Sequence, residues 1–168
     1  SGLPRESDFP YWTGPDFPFP TQAQLNARLG EQQTLYPSST YFQYSNLGMS
    51  LLGEVVEKVS GQLYDKYVEE NILKPLRLNS TLTYIPKEEW GKKMAIGYGA
   101  VKRQGTRDKV NLFDTKGVKA AAGFTSTVGD LARFASWQFR LLSNGGTEIL
   151  RSSTLKEMHR VQWVDPDW

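Results

Sequence analysis

The residues best suited to do chemistry are Tyr44 and Asn46, two positions apart in Tyr44-Ser45-Asn46. They stand at the mouth of an apolar, helix-like run, where a phenol and an amide can form one wall of a cleft. A phenol near a cationic group loses its proton more easily than a free phenol, so it can shuttle a proton. An amide can hydrogen-bond a substrate's own amide while staying neutral. Taken alone, the triplet also fits a packed tyrosine followed by a helix cap from Ser45 or Asn46. Other clusters are poorer. The adjacent acids Glu69-Glu70 and Glu88-Glu89 diverge on a helix and read as solvated charges. Gly97-x-Gly99 has no helix after it and is no phosphate loop. His159 is the single histidine and there is no cysteine, which argues against a metal site; we read His159 as a surface helix residue.

The elements that must position the pair are legible from spacing. Thr21-x-x-Gln24 is a capping box and predicts a helix to about Leu35, with Leu25, Leu29, Ala23 and Ala27 as its apolar face. A second helix carries Leu47, Leu51, Leu52, Val55, Val56 and Val59 at helical spacing and stops at Gly61. A third runs from about Gln62 to Leu73, burying Leu63, Tyr67, and Ile72 or Leu73, and ends at Pro75. Thr81 to Ile85 reads as a strand, and residues 79–112 otherwise as short strands or irregular loops. The small residues Ala120 to Gly123 allow backbones to approach closely. Thr127-x-x-Asp130 opens a helix to about Leu142, with Leu131, Phe134, Ala135, Gln138, Leu141 and Leu142 along one side. Ser152 or Ser153 caps a short helix through Met158. Residues 1–20 are dense in proline and aromatics, which disfavours helix; they read as an extended segment docked on the body by its rings. The other reading of those rings is a binding platform. The tail Trp163 to Trp168 shows no natural ending.

Composition sets the class. The 168 residues fit one domain with a real core. Twenty basic and eighteen acidic residues are spread along the chain, for a net charge of +2. No Lys/Arg block points to nucleic acid, and no apolar run approaches the roughly 20 residues that span a bilayer. Ser1 opens no signal-peptide pattern, and the lack of cysteine leaves the redox compartment open.

Four blocks, in order, resemble one family. Phe42 to Gly48 followed by Leu52 to Gly61 is similar to the stretch of serine β-lactamases and penicillin-binding proteins, class C branch, that holds the Tyr-x-Asn element. Ile72 to Thr81 resembles that family's I-L-x-P-L-G-M-x-x-T segment, with Arg77 and Leu78 in place of the usual Gly and Met. Ala121 to Phe134 is similar to its A-G-G-L-x-S-T-x-x-D-L-A-R-F. Ser1-Gly2-Leu3-Pro4 resembles the end of its H-T-S-G-L-P. The family's nucleophile lies in Ser-x-x-Lys, upstream of that last stretch. Ser153-Thr154-Leu155-Lys156 has the letters but the wrong order in the chain, and we read it as a helix cap. Thr115-Lys116-Gly117 resembles the third element, Lys-Thr-Gly or His-x-Gly, in composition only.

The resemblance implies the helical lobe of a β-lactamase-like α+β fold: mainly α, with a small β or irregular segment and the central sheet largely missing. Residues 1–168 would be a single partial domain. The parent would be an exported serine hydrolase working through an acyl-enzyme on β-lactams, D-alanyl peptides or small esters. Tyr44 would assist proton transfer and Asn46 would bind the acyl side-chain amide, with no metal or organic cofactor. The chain alone is expected to be inactive, and to self-associate through helix faces meant for the sheet. The competing expectation is a non-catalytic module that binds peptidoglycan or a protein through the Phe9–Phe19 segment.

Overall fold

The structure is a computed structural model and describes residues 1–164. Five α-helices carry it: α1 (Gln22–Arg28), α2 (Asn46–Ser60), α3 (Tyr64–Val68), α4 (Val128–Asn144) and α5 (Ser152–Met158). Among the described residues β structure is limited to isolated bridges, Leu82 with Thr125, Trp90 with Met94 and Tyr98 with Lys109. The expected mainly helical lobe is what the chain forms. The expected strand at Thr81–Ile85 does not form; only Leu82 pairs, because the single partner segment beside it turns at once into the cap of α4.

Caps set the helix boundaries. Thr21 closes a reciprocal capping box with Gln24, but α1 ends at Arg28 and only a 3-10 turn, Leu29–Glu31, continues it. Leu25 is buried, whereas Ala23 and Ala27 face solvent, so the expected apolar face is narrower than its sequence spacing. The Ser45 hydroxyl accepts the Gly48 N–H at 2.8 Å and starts α2. Gly61, at φ 69°, ends it in the left-handed conformation that glycine adopts without strain.

The third helix differs from expectation. It begins at Tyr64, and its second half, Glu69–Leu73, widens into a π-helix whose last bond runs from Lys74 N–H to Glu69 O at 2.9 Å. Leu63 lies before the helix and is exposed; Val68 takes the buried place instead. At the far end, Ser152 and Ser153 are both inside α5, and the cap position is Arg151, whose side chain makes no capping bond. Residues 165–168, the end of the tail, lie outside the described residues.

Two apolar cores hold these elements. Trp137 and Leu141 of α4 and Leu155 of α5 pack with Val68, Leu73, Leu76 and Leu78. Trp137 also donates its indole N–H to Glu148 O at 3.2 Å. The second core joins the proline-rich segment to α1: Tyr11, Phe19, Leu25 and Val118 are buried together. Phe19 lies 4.7 Å from Tyr11 and stacks on Phe113 at 5.3 Å, centroid to centroid. The aromatics of residues 9–19 are thus docked on the body, as the packing reading expects.

The family-like blocks meet in space. Asp130, only 1% exposed, accepts Ser80 N–H at 2.7 Å and the Thr81 hydroxyl at 2.9 Å, and pairs with Arg133 at 2.7 Å. One carboxylate therefore ties the start of α4 to the turn after Leu78. Burial works against its charge, yet the Ser80 N–H, the Thr81 hydroxyl and Arg133 together hold its carboxyl below the usual range. Arg77, where the resembling segment has glycine, stands at φ 56°. That conformation costs a non-glycine residue about 1–2 kcal/mol. The small-residue segment also does what was expected. A Cβ on buried Gly53 of α2 would lie 2.5 Å from the Ala120 Cβ, so only glycine lets the helix pass so close.

Between these cores Lys119 bridges Asp65 at 2.9 Å and Glu57 at 3.7 Å, and Glu57 accepts Tyr64 N–H at 2.9 Å. Burial, with Asp65 beside it, pushes the Tyr64 phenol up.

Not every apolar stripe is covered. On α2, Met49, Leu52, Val55 and Val59 are exposed, Val59 by 84%. On α4, Val128, Leu131, Ala135 and Phe139 face solvent, so the expected stripe on that helix splits into a buried half around Leu141 and a bare one. No helix among the described residues is long and apolar enough to cross a membrane.

Candidate functional site

Tyr44 and Asn46 are brought together at the start of α2. The chain enters in extended conformation at Ser45, at φ −143° and ψ 106°, and turns into helix at Asn46. That turn aims both side chains at one spot: the Tyr44 hydroxyl donates to Asn46 Oδ1 at 2.9 Å. Asn46 is 3% exposed and Tyr44 56% exposed, so the amide is anchored while the phenol reaches the surface. Ser45, not Asn46, is the cap. Its hydroxyl also donates to Pro4 O at 2.7 Å, and Asn46 N–H donates to Arg5 O at 2.9 Å. The Ser1–Pro4 and Tyr44–Asn46 blocks are therefore neighbours, joined by the Ser45 hydroxyl and by the backbone bond at the adjoining Arg5.

Sequence reasoning missed the group behind the pair. The Glu6 carboxylate accepts Asn46 Nδ2 at 2.8 Å and the Trp12 indole N–H at 3.1 Å on Oε1. The Tyr11 hydroxyl donates to Oε2, and Arg5 Nε lies 3.4 Å from Oε1. Arg5 also sits over the Tyr44 ring, 5.5 Å from its centroid. No local pattern marks Glu6. It lies forty residues before Asn46, in a stretch that reads only as proline-rich and aromatic.

The other sequence candidates stay apart from this pair. Ser153 is an exposed residue of α5, and Lys156 follows it on the same helix. His159 caps the C-terminal end of α5 and meets Gln138 Oε1 at 2.8 Å on the surface. Glu69 and Glu89 pair with Lys74 and Lys93 at 2.8 and 3.7 Å, as solvated charges do. An open cleft between the 79–84 segment and the loop after Pro86, lined by Ser80, Leu82, Tyr84, Glu89, Met94 and Thr125, contains neither Tyr44 nor Asn46.

What the pair can do follows from its atoms. A half-exposed phenol oxygen, steadied by a buried amide, can take or give a proton at the surface. An amide held by a carboxylate keeps a fixed hydrogen-bonding face.

Comparison with known proteins shows the family. A family profile described as Beta-lactamase matches residues 1–167, and the chain belongs to that family. It is 29% identical over 159 residues to Beta-lactamase-like protein 2 of Dictyostelium discoideum, covering 94% of this chain and 27% of that protein. It is 28% identical over 144 residues to the D-alanyl-D-alanine-carboxypeptidase/endopeptidase AmpH of Escherichia coli K12, covering 86% of this chain and 34% of the relative. The octameric penicillin-binding protein homologue from Pyrococcus abyssi superposes with a TM-score of 0.71 at 29% identity, over 89% of this chain and 32% of that one. The chain thus spans about a third or less of the length of these relatives.

Proposed function

We propose that these residues are one lobe of a larger serine hydrolase that works through an acyl-enzyme on D-alanyl peptides, β-lactams or small esters, in the periplasm or outside the cell. The observation that carries this reading is the Tyr44 hydroxyl held on Asn46 at the start of α2, in a chain of the Beta-lactamase family. Tyr44 passes a proton between the nucleophilic serine, supplied by the rest of the protein, and the leaving group. On this reading Asn46 binds the amide of the acyl side chain. The similarity to a D-alanyl-D-alanine carboxypeptidase supports a peptide substrate.

On this reading the 168 residues alone form no acyl-enzyme. Intact-mass spectrometry after incubation with a β-lactam, and separately with a fluorophosphonate, is expected to show no adduct on this chain. A protein extended upstream to include Ser-x-x-Lys is expected to gain one mass equivalent of acyl group. An adduct mapping to a serine of the short chain would overturn the assignment.

The bare stripes on α2 and α4 are the helix faces expected to lie on the remainder of the fold. In the isolated chain they favour self-association, since contiguous exposed apolar surface is costly in water. Sedimentation at two concentrations is expected to show a weight-average mass that rises with concentration. A monomer at both would refute this.

A further inference from the structure

We propose that Glu6 is the positioning residue of this site and sets the direction of its hydrogen bonds, an inference that rests on the proposed role of Tyr44 and Asn46. A carboxylate only accepts hydrogen bonds. The Asn46 atom 2.8 Å from Glu6 Oε1 is therefore the amide nitrogen, and the amide oxygen must face Tyr44. The Tyr44 hydroxyl, 2.9 Å away, has to donate to it. The row runs one way: phenol to amide oxygen, amide nitrogen to carboxylate. Tyr44 has a single proton, and it is committed inward. Its lone pairs face the exposed side, so in this arrangement the phenol meets a reacting hydroxyl as a hydrogen-bond acceptor, and it can take that hydroxyl's proton only after giving up its own, as phenolate.

Glu6 can impose this direction because it is itself held. Its side chain is 21% exposed, and the buried Tyr11 donates to its second oxygen. The Trp12 indole, which can only donate, meets the same Oε1 as Asn46 at 3.1 Å. Whatever replaces Glu6 must therefore keep an oxygen at that point to hold the row. Glutamine can do so. Its carbonyl oxygen takes the Trp12 and Asn46 donors, and its NH2 group turns to Tyr11, whose hydroxyl can accept. Alanine cannot.

The test uses the side-chain amide of Asn46, observed by nitrogen–proton NMR of the 168-residue chain and assigned with Asn46→Ser. In the wild-type protein and in Glu6→Gln its protons are expected to exchange with water at least about 10-fold more slowly than a free carboxamide, as internally bonded protons do. In Glu6→Ala they should exchange at the free rate. Trp12→Phe disturbs the same segment without touching Asn46, and should leave the slow exchange intact. In the longer protein, Glu6→Ala should lower kcat about 10-fold and raise KM a few-fold, because the unheld amide no longer presents a fixed face to substrate, and Glu6→Gln should restore both.

The proposal is overturned if Glu6→Gln behaves like Glu6→Ala, if Trp12→Phe alone frees the amide, or if Glu6→Ala leaves kcat unchanged. Should the wild-type longer protein prove inactive, the hydrolase reading fails, while the exchange data still decide whether Glu6 orients Asn46. Glu6→Gln keeps the test open if Glu6→Ala does not fold.

Discussion

Tyr44→Phe in the longer protein is expected to lower kcat about 100-fold, near the lower end of what a positioned acid–base group contributes. The change removes one oxygen and nothing else. The ring keeps its place beside Arg5, and Asn46 keeps its bond to Glu6. The lost hydroxyl is bonded to Asn46 Oδ1 on a side chain more than half exposed, so the fold should hold. The effect should therefore fall on kcat, with KM within a few-fold. Asn46→Ala should behave differently: on the proposed reading the amide binds substrate, so there KM should rise. Steady-state kinetics on a D-alanyl peptide and a chromogenic β-lactam separate the two. A Tyr44→Phe enzyme with unchanged kcat would remove Tyr44 from the proton path.

Asp130→Ala is expected to cost about 2–4 kcal/mol of stability. It leaves a backbone N–H and a hydroxyl without their acceptor and removes a buried charge-assisted bond. Arg133 is mostly exposed and adds little, since water screens it. For a chain of this size the loss corresponds to a fall in Tm of roughly 5–15 °C.

The dependence on pH has a definite sign. The Asp130 carboxyl is held below its ordinary value in the folded protein, so it ionises there at lower pH than in the unfolded chain. Its contribution is complete above about pH 4, the ordinary carboxyl value, and is lost as pH falls through the folded value. The stability difference between wild type and Asp130→Asn should thus be constant from pH 7 to about 5 and shrink below about 4. Urea unfolding at several pH values measures it. A difference that persists undiminished at pH 3 would show that the charge of Asp130 is not what stabilises the clamp.

Asp130 illustrates how far the sequence could be read. Thr127-x-x-Asp130 was legible as a helix start, and α4 begins there with Thr127 as its cap. The larger role of that aspartate was not legible, because Ser80 and Thr81 lie about fifty residues away. The same holds for Glu6, whose partner Asn46 comes from a different block. Leu63 fitted a helical period but precedes the helix, and Thr81–Ile85 had strand-forming residues but no neighbouring strand to complete a ladder. Local preference fixes neither burial nor pairing without a partner.

The chain's own pattern therefore determined which segments become helix, where Thr21, Ser45 and Gly61 start and stop them, and that Tyr44 and Asn46 share one helix mouth. Those are effects of neighbours within a few residues, which the covalent chain brings together by itself. Tertiary structure decided the rest: which faces of α2 and α4 are buried, that Asp130 clamps a distant turn, and that Glu6 stands behind Asn46. Each of these depends on groups tens of residues apart meeting at hydrogen-bond or van der Waals distance, and only the packed chain settles that.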